Sequence, residues 1–401
     1  MHVKTGLEVL LADTSLLKQL HAKRVGLLAH PASVSATLQH SLDCLKAAGV
    51  NVVVAFGPQH GLRGDKQDNM VESEDFIDPL WQIPVFSLYG QSRRLTPTML
   101  AHFDVLLVDL QDVGCRIYTF LTTLRYMLED CAQAGKTLWV LDRPNPAGRP
   151  IEGLALRPGQ ESFVGAGRLP MRHGLTLGEA AHWFVRELAL TLEYRVIPLK
   201  GWQPLVGPGF GWPSERAWVN PSPNAANLSM ARAYAGTVLL EGTTLSEGRG
   251  TTRPLECLGA PGLPITSLLS AMERLAPHWL GGVTLRPMYF EPTFHKHAHT
   301  LCAGVQWHLE AGHYDPQYFK PWRLMALFFK AIRAWRSDYP LWRDFPYEYE
   351  LNRLAIDVIN GSALLREWVD DPMATPAELE ALAGADERAW AEEWREWYLY
   401  R

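Results

Sequence analysis

Apolar residues in the first 150 positions come in short continuous runs rather than in strict alternation, at residues 25–29, 50–56, 83–88, 105–110 and 138–141. Strands buried on both faces read this way, because neither face keeps a polar set for water. Between several runs lie stretches with helical spacing, notably 38–48 and 119–134. Parallel strands need such crossovers, so the pattern predicts an α/β fold with a Rossmann-like, mostly parallel sheet. Upstream, Leu7, Leu10, Leu11, Leu16, Leu17 and Leu20 fit an amphipathic helical segment broken near Asp13.

After residue 150 the texture is less regular. A helix is predicted over 177–190 behind Thr176, with Glu179 placed to complete a capping box. Strands are expected near 194–199 and 237–241, with the loop WVNPSPN (218–224) between them. These elements are read as completing a first, catalytic domain of residues 1–260. After the break GAPGLP (259–264), strand-like segments at 283–290 and 301–309 precede helical stretches at 321–335 and 378–397. They predict a smaller α+β domain over 261–401 that closes a cleft.

Composition narrows the function classes. The chain has 401 residues, 47% of them apolar, and a net charge of −5, which argues against a generally basic nucleic-acid binder. No run of eighteen apolar residues occurs, so no membrane-spanning segment is expected. Five scattered cysteines without a CxxC pair indicate neither a disulfide framework nor structural zinc. The N-terminus lacks a basic start and a small-residue cleavage site, so a cytoplasmic location is expected. Neither GxxxxGK[ST] nor GxGxxG is present, which speaks against a nucleotide cofactor. His295, His297 and His299 alternate and would share one face of a strand; a polar edge with one His reaching the cleft is preferred to a metal site.

The segments following the strands carry the chemistry: HPAS (30–33), GPQHGLRGD (57–65), LYG (88–90), DLQDVGCR (109–116) and LDRPNP (141–146). Ligands of such sheets bind outside the carboxyl ends of the strands, so these loops should line one crevice. His60, Arg63 and Asp65 supply polar groups on the first glycine-rich loop. Asp109 and Asp112 near Arg116 and Tyr118 can divide into a charged carboxylate and a proton donor. Further on, EGTTLSEGRGTTRPLE (241–256), with Glu241, Glu247 and Arg249, has the make-up of a binding loop for a hydroxyl-rich ligand. Tyr89 and Tyr118 sit at strand ends, and Trp202, Trp212 and Trp218 lie in a Pro/Gly-rich region suited to stacking on a ligand. Trp335, Trp342, Trp390, Trp394 and Trp397 have amphipathic helical contexts and are read as packing.

Taken in order, GPQHGLRGD, SLYG, DLQDVGCRIYTF, LDRPNP with IEG, SFVG, MRHGLTLGE, PSPN and EGTTLSEGRGTTRPLE resemble the exo-β-N-acetylmuramidases of the NamZ/YbbC-like family. The resemblance is clear over about residues 5–310. It implies a glycoside hydrolase that releases terminal N-acetylmuramic acid from the non-reducing end of peptidoglycan fragments, without nicotinamide or metal. The lactyl carboxylate of that sugar calls for a fixed cation; Arg63 and Arg116 lead, with Arg249 next. Asp109 or Asp112 is the first charged carboxylate to test and Glu247 the first proton donor, with His60 and Tyr118 beside them; spacing does not divide the roles. Gln59, Tyr89, Asn145, Glu152, Asn224 and Glu241 complete the implied substrate contacts.

One position departs from the family pattern, which usually reads P-E-H-G where this chain has Pro58-Gln59-His60-Gly61. An amide does not titrate, so Gln59 is neither a general acid nor a nucleophile. The acid role then lies elsewhere (Asp109, Asp112, Glu152 or Glu247), or the substrate's 2-acetamido group is the internal nucleophile that Gln59 orients, or the chain only binds muropeptides. Retained hydrolysis is expected because the surrounding polar loops are intact. Without an export signal, recycling of imported wall fragments is the expected setting.

Overall fold

The computed structural model describes residues 2–64, 66, 70–310, 312–395 and 398–400; Asp65 and Trp397 lie outside them. Each predicted run in the first part is a strand: β1 (Val25–Ala29), β2 (Val52–Gly57), β3 (Phe76–Ile77, an added edge), β4 (Pro84–Ser87), β5 (Val105–Asp109) and β6 (Thr137–Leu141). A two-stranded hairpin, β7 (Glu152–Ala155) with β8 (Pro170–Arg172), follows, and then β9 (Tyr194–Ile197). The main sheet runs β3-β4-β2-β1-β5-β6-β9. All its pairings are parallel except β3 with β4.

Alternate strand residues feed two cores, as pleating requires. Leu106 and Val108 of β5 join one apolar cluster, and Val105 and Leu107 the other. The second cluster is roofed by the helices Gly6–Ala12 and Thr14–His21. Asp13 separates them, accepting from the amides of Ser15 and Leu16 at 2.9 and 3.1 Å. The helix Leu177–Glu187 carries the capping box expected of Thr176 and Glu179.

The second part holds a three-stranded antiparallel sheet, ordered β10 (Cys257–Ala260), β12 (Cys302–His308) and β11 (Thr284–Phe290). Two expectations fail here. Residues 237–241 are not a strand: they end the helix Leu228–Thr237 and continue as the 3-10 turn Val238–Gly242. That helix is buried from Ser229 to Thr237, and a segment buried all round has no solvent face whose spacing would betray its type. It packs on the helix Pro321–Trp335 so closely that a Cβ at Gly236 would lie 2.1 Å from the Pro321 carbonyl oxygen. Both Leu228–Thr237 and β10, which pairs with β12, are thus joined to C-terminal elements. GAPGLP spans the end of β10 and the turn into the helix Ile265–Leu275.

Nor does FHKHAH form a strand. His295, His297 and His299 all adopt left-handed backbone in a turn, so no common face exists. The two parts share one core, which runs from Leu28 and Phe56 to Trp390 and Trp394. The helix Pro376–Trp394 lies against the β7–β8 hairpin, where Glu387 and Asp386 accept from the amides of Gly153 and Ala155. Both walls of the cleft between the parts are thus held in a fixed relation.

Candidate active site

The strand order reverses at β1, and the crevice opens there, at the carboxyl ends of β2, β4 and β5. After β2 the chain must turn at once: a Cβ at Gly57 would lie 2.4 Å from the Leu62 nitrogen. His60 and Gly61 take left-handed φ of 70° and 78°, and the Gly61 amide closes the turn on the Pro58 carbonyl at 2.8 Å. This turn carries Gln59 and His60 on the cleft wall. Tyr89 follows β4, and Tyr118 and Thr119 enter the helix Phe120–Ala134.

The opposite wall comes from the second part, through Tyr347 and Glu348. Glu348 and Tyr349 are consecutive non-glycine residues in left-handed backbone, with φ of 46° and 69°. Such conformations cost on the order of 1–3 kcal/mol each and persist where surrounding contacts over-determine them. Here the Gln59 amide donates to Glu348 Oε1 at 3.3 Å and the Tyr89 hydroxyl to Oε2 at 2.9 Å. The Thr119 hydroxyl donates to Gln59 Oε1 at 2.8 Å, which orients the amide. Burial raises the Glu348 carboxyl above its ordinary range, while Tyr89, Arg93 and Gln59 pull it back. The Arg93 guanidinium lies 4.2 to 4.9 Å from the ring centres of Tyr349, Phe163 and Tyr89, and its buried Nε has no hydrogen-bond partner among the described residues.

The cleft encloses about 520 Å³ including its mouth. Of the residues expected from the sequence, Gln59, His60, Tyr118, Asn224, Glu241 and Arg249 line it, and Tyr89 reaches it through Glu348. His60 Nδ1 contacts the Lys66 carbonyl at 2.7 Å. Burial raises the Tyr118 phenol, which Ser222 eases back, so it stays protonated. Glu241 is tied at both oxygens, by Arg249 Nη2 at 2.7 Å and the Tyr347 hydroxyl at 2.6 Å.

Other expectations are corrected. Glu247 is not a cleft residue or a proton donor. Against the upward push of burial, Lys296 at 2.8 Å, His295 at 3.3 Å and Arg249 at 3.0 Å hold it well below the usual carboxylate range. An anion so held has no proton to give. Arg116 is no substrate clamp either: buried, it donates to the carbonyls of Leu154, Leu169, Ile359 and Asn360 at 2.7 to 3.2 Å. Asp109 is locked bidentately to Arg143 at 2.6 and 2.9 Å, and Asp112 caps the Gly114 amide at 2.6 Å beside His173 at 3.6 Å. Neither lines the cleft. Asn145 organises its own turn, donating to Gly148 and Leu175 carbonyls. Glu152 accepts from the amides of Trp322 and Arg323, and burial pushes its carboxyl up to about 7. Arg63 lies outside the cleft, over the Phe76 ring at 4.2 Å.

Sequence reasoning missed Glu348, Tyr347, Thr119 and Arg93. The available signal was PYEYE (346–350), two acids alternating with two tyrosines outside any helical pattern.

A crevice walled by two parts of one chain agrees with the comparisons. The N-terminal family model of the exo-β-N-acetylmuramidase NamZ matches residues 25–229, and the C-terminal model of the same family matches 232–400. The chain belongs to the NamZ family. Its similarity to the peptidoglycan β-N-acetylmuramidase NamZ of Bacillus subtilis (strain 168) is 42% identity over 306 residues, 76% of this chain and 72% of that protein. Two DUF1343 family crystal structures from Bacteroides fragilis NCTC 9343 share the fold. One aligns with a TM-score of 0.84 and 30% identity, the other with 0.75 and 25%, each covering 100% of this chain and 99% of the neighbour. The N-terminal match ends at residue 229 and the C-terminal match begins at 232, both inside the helix Leu228–Thr237.

Proposed function

We propose that this NamZ-family chain releases terminal N-acetylmuramic acid from the non-reducing end of peptidoglycan fragments, with Glu348 as the acid/base. The observation that carries this is a buried carboxyl of raised pKa, held by Tyr89 and Gln59 in the cleft. A carboxyl that keeps its proton toward neutral pH can protonate a departing glycosidic oxygen.

Gln59 then has a task an amide can perform. It positions Glu348 and, beside Thr119, lies where it can orient the sugar's 2-acetamido group. As Glu348 gives its proton to the leaving oxygen and the C1–O bond breaks, the acetamido oxygen bonds to C1 as an oxazolinium. Water then adds at C1, passing its proton to the Glu348 carboxylate and reopening the ring, with net retention. The half-buried guanidinium of Arg93, stacked among three rings at the edge of this site, is the cation for the lactyl carboxylate.

The test is a chromogenic β-muramide and a muramic-acid-terminated disaccharide, with the first-formed anomer followed by NMR. Release of β-muramic acid by the unmodified chain, abolished in Glu348→Gln, supports the proposal. Binding without turnover would make the chain a muropeptide-binding protein, and a first-formed α anomer would remove the acetamido route.

Recycling of wall fragments in a reducing compartment fits five free, buried thiols. Among the described residues no helix is long and apolar enough to cross a membrane. Fractionation of native cells checks the compartment; recovery with the periplasmic fraction alone would overturn it.

A further inference from the structure

The reaction leaves open where the rest of a glycan chain lies once its terminal sugar occupies the cleft. Ser222, on the wall of that cleft, is also on the wall of a second hollow of about 750 Å³. This hollow is floored by Pro31, Gly64 and the loop 218–223, with Arg63 beside it. Trp218, at the start of that loop, is shared in turn with a third and larger hollow of about 1250 Å³, mouth included. The three hollows are thus neighbours, sharing Ser222 and then Trp218 in their walls.

The far hollow has a distinct chemistry. Phe210, Trp212, Trp218 and Tyr314 line it with rings. Arg253 contributes a guanidinium 43% exposed, 3.2 Å from Glu256 and 3.6 Å from Glu310. Its neighbours Arg216 and Arg232 have buried side chains, held by Glu8 and by the carbonyls of Leu309 and Gly209, so Arg253, though paired with its two carboxylates, is the exposed one of the three. Ring faces suit the C–H faces of pyranoses, and the exposed edge of a guanidinium held by carboxylates donates to sugar hydroxyls. Peptide-free wall glycan offers such faces and hydroxyls on every sugar.

Building on the muramidase reading, we propose that the loop 218–224 and the Phe210–Trp218–Arg253 hollow form an extended aglycone site. It would grip the glycan beyond the scissile bond and make the enzyme prefer oligosaccharides to disaccharides. The occupant is the sugar chain rather than the stem peptide. A terminal-sugar hydrolase must leave a path for the retained chain, and these hollows adjoin the cleft at Ser222.

The experiment compares kcat/KM on an aryl β-muramide, a disaccharide and a peptide-free tetrasaccharide, for the unmodified chain, Phe210→Ala and Arg253→Gln. The unmodified chain should favour the tetrasaccharide over the disaccharide. Each variant should lose about ten-fold on the tetrasaccharide, the size of one lost charge-assisted or stacking contact, and match the unmodified chain on the aryl muramide. Equal rates on the two saccharides, or equal losses on the aryl and tetrasaccharide substrates, would overturn the site. So would a length effect seen only with peptide-bearing fragments, which would assign the hollow to the stem. Calorimetric titration of the tetrasaccharide reads the groove without turnover. Weaker binding by Arg253→Gln alongside an inactive unmodified chain would sink the hydrolase and keep the groove, whereas unchanged binding would sink the groove.

Discussion

Glu348 and Glu247 are both buried carboxyls on loops of the second part, on either side of the Glu241–Arg249 pair, and their surroundings send them in opposite directions. Glu348 accepts from an amide and a phenol, with Arg93 as the cation near it, and desolvation outweighs all three, so its pKa is raised. Around Glu247 stand Lys296, Arg249 and His295, whose combined field outweighs the same desolvation. Burial alone therefore does not make an acid catalyst. The raised carboxyl of Glu348 is what the proposed acid role requires, whereas Glu247 anchors the loop that carries Arg249 to the cleft wall.

Exchanging either carboxyl for its amide separates the two roles. Glu348→Gln should lower kcat by about 10²- to 10⁴-fold, the usual contribution of a general acid, with little change in melting temperature. Glu247→Gln should instead unfold more easily by about 3–5 kcal/mol in denaturant titration, because Lys296 and Arg249 lose their buried counter-charge. If Glu247→Gln were as stable as the parent but inactive, the assignments would have to be reversed.

The pH profile sharpens the contrast. A general acid works protonated, so activity should fall as pH rises through the raised pKa of Glu348. In Gln59→Glu a second carboxyl would sit at the 3.3 Å contact, and like charges so close cannot both ionise. The alkaline limb should therefore move to higher pH; an unmoved limb would mean that Glu348 is not the titrating group. Glu247 enters through stability. Its folded pKa is depressed, so its contribution is present above the unfolded value and is lost as pH falls through the folded one.

The smallest effect is expected at Glu152. Its folded pKa of about 7 lies above the unfolded value, so its stabilising contribution is complete in acid and disappears as pH climbs toward 7. Glu152→Gln should flatten that part of the stability curve without touching kcat.

Much of the fold was legible. The runs at 25–29, 105–110 and 138–141 are central strands, and Thr176 with Glu179 caps a helix as its spacing promised. Residues 237–241 misled because a segment buried all round looks alike as strand or helix. Of the site, the loop after β2 brings Gln59 and His60 to the cleft, and Tyr89 after β4 reaches it through Glu348. Arg116 and Asp109 were misplaced because a charged residue at a strand end looks the same in sequence whether it faces ligand, backbone carbonyls or, like Asp109, a buried guanidinium.

Local patterning was enough to set the parallel sheet and the edge at which ligand collects, since both follow from periodicity and from where turns interrupt it. It also supplied the substitution at position 59, a matter of residue identity alone. Which carboxyl meets that amide was settled by folding: Glu348 lies 289 positions away, and only the packing of the second part against the first brings them within 3.3 Å. The protonation of each acid was settled there too, because it depends on the charges and water around a group, and neighbours in space are not neighbours in sequence.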